Sequence, residues 1–303
     1  MTSTADDAID YDAVVVGGRG AVGTQLGRLL AADGLSVVTV DPAPRASTTD
    51  DRFRHLEGDV LAPDRHLSAV LSRASIVVLA VPETVALRVP LSLFADTALV
   101  VETLSVKSGF AEIAAGQFGP QILGINPMFA PSLGMDGRPV ACVIHRPGDL
   151  ADEFLLRIAK WGGRVVALDA DAHDRLAAAT QALVHAAILA FGTALAELGV
   201  DPLLVDAVAP PPARTLLALL TRISGGEPEV YWDVQAGNPH AARARRALAT
   251  AVGGLDDAVV SEPNFGRYLQ QFATLVPDAD EYRALCARLF GIVREPARKG
   301  EKP

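Results

Sequence analysis

The stretch Asp12-Ala13-Val14-Val15-Val16-Gly17-Gly18-Arg19-Gly20-Ala21-Val22-Gly23 decides the fold. A short β-branched run stops at glycines, and an alanine- and leucine-rich segment follows, Thr24 to Ala32. Consecutive valines suit a strand buried on both faces. The spacing Gly18-x-Gly20-x-x-Gly23 then predicts a strand, a tight turn and a helix start. Gly18 is expected to make the sharp turn, Gly20 to let a pyrophosphate approach the backbone, and Gly23 to seat the helix against the strand. The free N–H groups of such a helix start, together with its dipole, favour a phosphate. The phosphate contacts are therefore assigned to Gly18, Arg19, Gly20, Ala21, Val22 and Gly23.

Working outward, a second apolar run, Leu35 to Val40, ends in Asp41, 18 residues after Gly23. An acidic side chain there accepts hydrogen bonds from the adenosine ribose hydroxyls and repels a 2′-phosphate. The pattern favours NAD over NADP, with Arg45 keeping NADP as the minority option. The competing reading is a glycine-rich turn in some other α/β protein.

Further strands are expected at Arg52–Val60, Ala74–Val81, Thr97–Glu102 and Gln121–Ile125, with a helix over Asp64–Ser72. Val140–Ile144 and Arg164–Leu168 read as added edge strands around a helix, Asp149–Trp161. This alternation predicts an α/β Rossmann domain with a doubly wound, mostly parallel sheet over residues 11–169. Val81 and Pro82 fall at the carboxyl end of a strand, where open α/β sheets bind ligands, and are added to the cofactor contacts.

The chain has 303 residues, enough for two domains. The net charge of −9 disfavours nucleic acid. The two cysteines, Cys142 and Cys286, lie far apart and offer neither a disulfide framework nor metal-ligand spacing. That usage fits a reducing cytoplasm. Residues 1–10 lack the basic start and apolar core of a signal peptide and read as a disordered tip. Residues 295–303 read as a loose tail.

From Asp171 onward no strand is expected, and residues 170–294 read as an all-α dimerisation and substrate domain. Leu176 to Ala196 is 21 residues long without a formal charge. That length could span a membrane, but its alanine content and its Thr180, Gln181 and His185 argue for a helix buried on all sides. A second copy of the chain would help to bury it, which predicts a homodimer sharing a helical core and no membrane. Pro210-Pro211-Pro212 breaks the helices, and a helix resumes at Arg214. Arg214 and Arg222, eight residues apart, fall on one face. Further helices are expected at Glu227–Gln235, Pro239–Val252, Asp256–Leu275 and Ala279–Val293, and Arg243, Arg245 and Arg246 read as a solvated face.

Several segments, in order, resemble the prephenate dehydrogenase family. They are the glycine turn, Ser105-Val106-Lys107, Gly124-Ile125-Asn126-Pro127-Met128-Phe129-Ala130-Pro131, His173-Asp174, Gln181-Ala182-Leu183-Val184-His185, and Arg214 through Tyr231. The resemblance implies a Rossmann domain, a helical dimerisation domain, an active site between them, and NAD(P)-dependent oxidative decarboxylation of a cyclohexadiene dicarboxylate. One departure stands out. The family has a histidine, acting as base toward the ring hydroxyl, where this chain has Asn126. Asparagine accepts no proton at neutral pH, though it hydrogen-bonds, and losing a general base costs about 10²–10⁴ in rate.

A substrate bearing an amine in place of that hydroxyl needs no base, because the nitrogen lone pair forms an iminium ion as hydride leaves. The expected substrate is thus 4-amino-4-deoxyprephenate, giving 4-aminophenylpyruvate. The alternatives are prephenate or arogenate oxidation, and a catalytically inactive NAD-sensing protein.

On this resemblance Ser105 and Asn126 are the catalytic candidates. Ser105 is expected to bond the ring substituent or the nicotinamide, or to cap a helix. Arg222 is expected to fork onto the ring carboxylate, the alternative being a surface salt bridge. Arg214 joins it or supports the site from behind. Gln181 and His185, one turn apart, are expected to face the pyruvyl side chain. Tyr231 would close the pocket, His173 would be structural, and Lys107 would cap or pair locally.

Overall fold

The protein is described by a computed structural model at residues 10–42, 54–116 and 118–293. Apart from Asp10, the expected loose ends lie outside the described residues, as does Arg45. Contacts divide the chain into two units, Met1–Ala177 and Ala178–Pro303.

The first unit alternates strand and helix. It runs β1 (Ala13–Val16), α1 (Ala21–Ala32), β2 (Val37–Asp41), β3 (Arg54–Glu57), α2 (Arg65–Arg73), β4 (Ile76–Leu79) and α3 (Glu83–Ala86). It continues through β5 (Leu99–Glu102), α4 (Ser108–Ala114), β6 (Gln121–Pro127), β7 (Pro139–Arg146), α5 (Asp149–Lys160), β8 (Arg164–Ala167) and α6 (Ala170–Ala177). The sheet order is β3-β2-β1-β4-β5-β6-β7-β8. All pairs are parallel except β6 with β7. The fold is the expected doubly wound Rossmann sheet. Only β8 of the two added strands is an edge; β7 lies inside, between β6 and β8. Strand order reverses at β1, between β2 and β4, which is the switch point where such sheets hold ligands.

Strand periodicity explains the two cores. Val14, Val16, Val77, Leu79 and Val100 pack on one face with Leu67, Leu71 and Phe110 of the helices α2 and α4. Ala13, Val15, Ile76, Val78 and Val101 pack on the other with Leu26 and Leu30 of α1 and Phe154 and Ile158 of α5. Each of these large side chains contributes about 1.5–3 kcal/mol when taken out of water. This is why the strands read as unbroken apolar runs rather than as alternation.

The second unit is helical among the described residues. A π-helical turn, Ala178–Ala182, leads into α7 (Leu183–Glu197), followed by α8 (Pro202–Val208), α9 (Pro211–Ser224) and α10 (Pro228–Trp232). A second π-helical turn, Asp233–Gly237, precedes α11 (Ala241–Ala258), α12 (Glu262–Gln270) and α13 (Ala279–Ile292). Pro211 sits in the first turn of α9, where its missing N–H costs nothing. The break expected between Val252 and Asp256 falls instead after Ala258: α11 runs on to that residue, and α12 covers Glu262–Gln270. Ser261 caps α12 through the Asn264 N–H and Pro263 sits in its first turn, so the chain restarts there.

The expectation that the uncharged helix is buried on all sides fails within one chain. In α7 only Ile188 is buried, and Val184 and Leu189 are exposed. The continuous helix Ala170–Glu197 is long and apolar enough to cross a membrane by length and composition alone.

Candidate active site

The glycine turn is built as the sequence requires, with one reassignment. The sharp turn belongs to Gly17, not Gly18: Gly17 has φ +77° and a Cβ there would lie 2.1 Å from the Ala80 carbonyl oxygen. That conformation and that gap admit only glycine. Gly18 is needed for a different reason, since its Cβ would lie 2.4 Å from Thr39 Cβ on β2. A Cβ on Gly23 would lie 2.3 Å from the Gly17 carbonyl oxygen, which is the close helix–strand packing expected. At Gly20 the nearest atom would be the Gly17 carbonyl oxygen at 3.3 Å, so the outer side of the turn is open. Arg19, Ala21 and Val22 continue this turn into α1, whose N-terminus has no side-chain cap. Uncapped N–H groups at an open glycine turn fit a phosphate. Asp41 ends β2 beside it and accepts the Arg19 N–H at 2.9 Å. Val81 touches the turn, its Cγ1 3.0 Å from a Cβ built on Gly17, and Pro82 is the N-cap residue of α3. These residues fit a dinucleotide.

Ser105 follows β5 in a loop pinned at two backbone points. The Leu104 N–H donates to Glu102 Oε2 at 2.8 Å, and the Lys107 N–H donates to Asp174 Oδ1 at 2.8 Å. Ser105 is not the helix cap. α4 starts at Ser108, and Asp174 caps it from α6 by accepting the Ser108 N–H at 2.9 Å. The Ser105 hydroxyl makes no hydrogen bond among the described residues and is half-buried.

Beneath this loop lies a buried charge cluster. Lys107 pairs with Glu102 at 2.8 Å and donates to the Ile125 carbonyl oxygen at 2.9 Å. His145 Nε2 meets the other Glu102 oxygen at 3.0 Å. Burial pushes the Glu102 carboxyl up, but the Lys107 charge and the His145 hydrogen bond outweigh it and hold it below its ordinary range. Burial lowers Lys107 in turn, against the pull of Glu102.

Asn126 lies near the carboxyl end of β6 and is buried. Its Nδ2 is 3.1 Å from His173 Nε2, and His173 Nδ1 is 2.8 Å from Asp174 Oδ1. The sequence assigned His173 a structural part. Its contact with Asn126, and the roles of Glu102, His145 and Asp174, were not foreseen. The adjacent pair His173-Asp174 was the visible signal for two of them.

In the second unit, Gln181 sits in the first π-helical turn and His185 one turn further on α7. Gln181 Oε1 and His185 Nδ1 are buried without a hydrogen-bond partner. Buried polar atoms left so are uncommon and point to a missing ligand or water. π-helical turns themselves gather at functional sites. Tyr231 stacks edge-on against His185, with ring centroids 5.1 Å apart. Burial first, and the Arg222 charge second, lower the His185 pKa, which keeps the ring neutral. Arg222 is exposed, and its guanidinium makes no hydrogen bond or ion pair among the described residues, while its carbonyl oxygen accepts the Tyr231 hydroxyl at 3.4 Å.

Arg214, by contrast, is occupied. It donates to the carbonyl oxygens of Ala209 at 3.2 Å and Asp206 at 2.8 Å, clamping the turn between α8 and α9. Arg243, Arg245 and Arg246 are exposed, as expected, and Arg245 also donates to the Gln235 carbonyl oxygen at 2.7 Å.

A doubly wound sheet with an open glycine turn and an acid at the end of β2 defines a Rossmann dinucleotide-binding protein. No family model matches the chain. The 4-amino-4-deoxyprephenate dehydrogenase of Streptomyces pristinaespiralis is 43% identical over 91% of this chain and 95% of its own length. The chain belongs to the prephenate dehydrogenase family. Two solved structures share the fold. One is prephenate dehydrogenase from Aquifex aeolicus in complex with hydroxyphenyl propionate and NAD+, at TM-score 0.68, 16% identity, and 86% and 95% coverage of this chain and that one. The other is Synechocystis arogenate dehydrogenase, at TM-score 0.62, 19% identity, and 89% and 99% coverage.

Proposed function

We propose that the protein oxidises 4-amino-4-deoxyprephenate to 4-aminophenylpyruvate and carbon dioxide with NAD. The observation that carries the amine reading is Asn126, buried at the end of β6 in the place of the family's histidine. The Streptomyces pristinaespiralis relative of that name, matched over 91% of this chain, supports it. NAD is supported by the glycine turn, by Asp41, and by the Aquifex aeolicus neighbour solved with NAD+.

NAD, held by the glycine turn and Asp41, would supply the hydride acceptor for the ring carbon that carries nitrogen. The lone pair on that nitrogen forms the C=N bond as hydride leaves. The bond from the ring to its carboxylate then breaks, its electron pair restores a neutral amine on an aromatic ring, and carbon dioxide departs. With the amine bound as the neutral free base, no proton moves in these steps, so no general base is required.

The chain's own side chains orient the ring. Asn126 accepts an N–H of the amine, and Ser105, its hydroxyl uncommitted, bonds the same end of the ring or the nicotinamide amide. Arg222, whose guanidinium has no partner among the described residues, forks onto the ring carboxylate. Gln181 and His185 offer their orphaned atoms to the pyruvyl side chain, with Tyr231 backing His185. Arg214 supports the site by fixing the start of the helix that carries Arg222.

The helical unit is the dimerisation domain, and a second copy covers the exposed apolar face of α7. The absence of any charge between Leu176 and Ala196 supports that reading. The two domains follow the division of contacts, with α6 on the side of the sheet rather than at the start of the helical domain, and the compartment is the cytoplasm.

The test is NADH appearance with 4-amino-4-deoxyprephenate, prephenate and arogenate side by side. The expected result is a kcat/KM for the amine at least tenfold above the other two. Preference for prephenate or arogenate assigns the protein to tyrosine formation instead. NAD binding with no turnover of any of the three makes it a sensor.

A further inference from the structure

Resting on the amine reading, we infer that His173, clamped by Asp174, sets which end of the Asn126 amide faces the reacting nitrogen. His173 is thereby a positioning residue for hydride loss.

The chain starts at Asp174, whose side chain is fully buried. Its Oδ1 accepts the Lys107 N–H at 2.8 Å, and its Oδ2 accepts the Ser108 N–H at 2.9 Å. Burial works against the charge, but the hydrogen bonds from His173, Lys107 and Ser108 outweigh it and hold the carboxyl below its ordinary range. Asp174 is therefore an anion, and an anion only accepts. His173 Nδ1, at 2.8 Å, must carry the hydrogen between them.

A neutral imidazole with hydrogen on Nδ1 has a bare Nε2, which only accepts. That atom is 3.1 Å from Asn126 Nδ2. The contact is bonding only if the amide turns its NH₂ toward the ring. Asn126 Oδ1 then faces the other way, and it enters no hydrogen bond among the described residues.

The orientation decides the chemistry. With Oδ1 outward, Asn126 accepts an N–H from the substrate amine and leaves the nitrogen lone pair to form the C=N bond. With NH₂ outward, the amide would donate into that lone pair and withdraw the push that expels hydride. A flipped amide would bind substrate about as well and turn it over more slowly, so the effect belongs to kcat and not to KM.

Two measurements test this. The first uses the free protein with ¹⁵N-labelled histidine and needs no substrate. The His173 shifts should report hydrogen on Nδ1 and a bare Nε2 at assay pH; hydrogen on Nε2 overturns the inference. This outcome is separable from the substrate reading, which fails if the wild type does not oxidise the amine.

The second is a double-mutant cycle on the amine substrate. H173L should lower kcat by roughly tenfold to a hundredfold with KM within about threefold, the scale of one misdirected hydrogen bond. H173Q, which keeps an acceptor, should recover part of the loss. In an N126A background, H173L should add nothing. If it lowers kcat equally there, His173 acts through the fold alone and the inference is wrong.

Discussion

In the first unit the central strands β1, β4 and β5 bury every side chain, whereas α7 of the second buries only Ile188 among its 15 residues. The first unit also pairs its buried charges: Glu102 meets Lys107 and His145, and Asp174 meets His173 and two backbone N–H groups. The second leaves Gln181 Oε1 and His185 Nδ1 without partners. The first unit has two such atoms as well, Gln25 Oε1 and Arg146 Nε, so the units differ less in polar pairing than in how much apolar surface each buries by itself. The first unit buries its strands by itself, whereas the second leaves an apolar face on α7 that the proposed second copy would cover.

The comparison breaks most visibly at the buried charges. Lys107→Met leaves Glu102 buried beside His145 without its cation, and should cost about 3–5 kcal/mol in chemical unfolding. Adding Glu102→Gln should recover much of that loss, since the penalty is an uncompensated charge. If the single variant is neutral, the cluster is not what holds the Ser105 loop. In the second unit a polar change should do the reverse. Leu189→Arg, on the exposed face of α7, should leave helical content unchanged and weaken the proposed dimer by roughly a hundredfold, about 2.7 kcal/mol, read by light scattering against concentration. An unaltered dimer would place the interface elsewhere.

Arg222→Ala should lower kcat/KM for the cyclohexadiene by about tenfold to a hundredfold with NAD affinity unchanged, because one charged fork is removed from the substrate alone. The smallest effect is a pH slope. The His185 pKa is lowered from its ordinary 6.5, so its contribution to stability is full above that value and is lost as pH falls through the folded one. His185→Gln should flatten the stability profile between pH 7 and pH 5, and an unchanged slope would remove His185 from the buried set.

The first unit was legible because its rules are local. Valine runs, the glycine spacing and Asp41 each announce a backbone requirement within a few residues. Even there the sharp turn fell on Gly17 rather than Gly18, because the pattern marks glycines without saying which has positive φ. The Glu102–Lys107–His145 cluster was illegible because it joins positions 43 residues apart through β5 and β7. The long uncharged helix was read as wholly buried from its composition, and composition does not say whether a chain buries a face alone or with a copy of itself. The site residues of the second unit were found through family resemblance; no periodicity marks Arg222 as free and Arg214 as occupied.

The account rests on nitrogen in the substrate replacing a base in the protein, and Asn126→His tests that exchange most directly. Steady-state kcat/KM would be measured on 4-amino-4-deoxyprephenate and on prephenate for wild type and variant. The prediction is that the variant's ratio moves toward prephenate by at least about tenfold, since a base accelerates only the hydroxyl substrate. An unchanged ratio, or a variant faster on the amine, would contradict it.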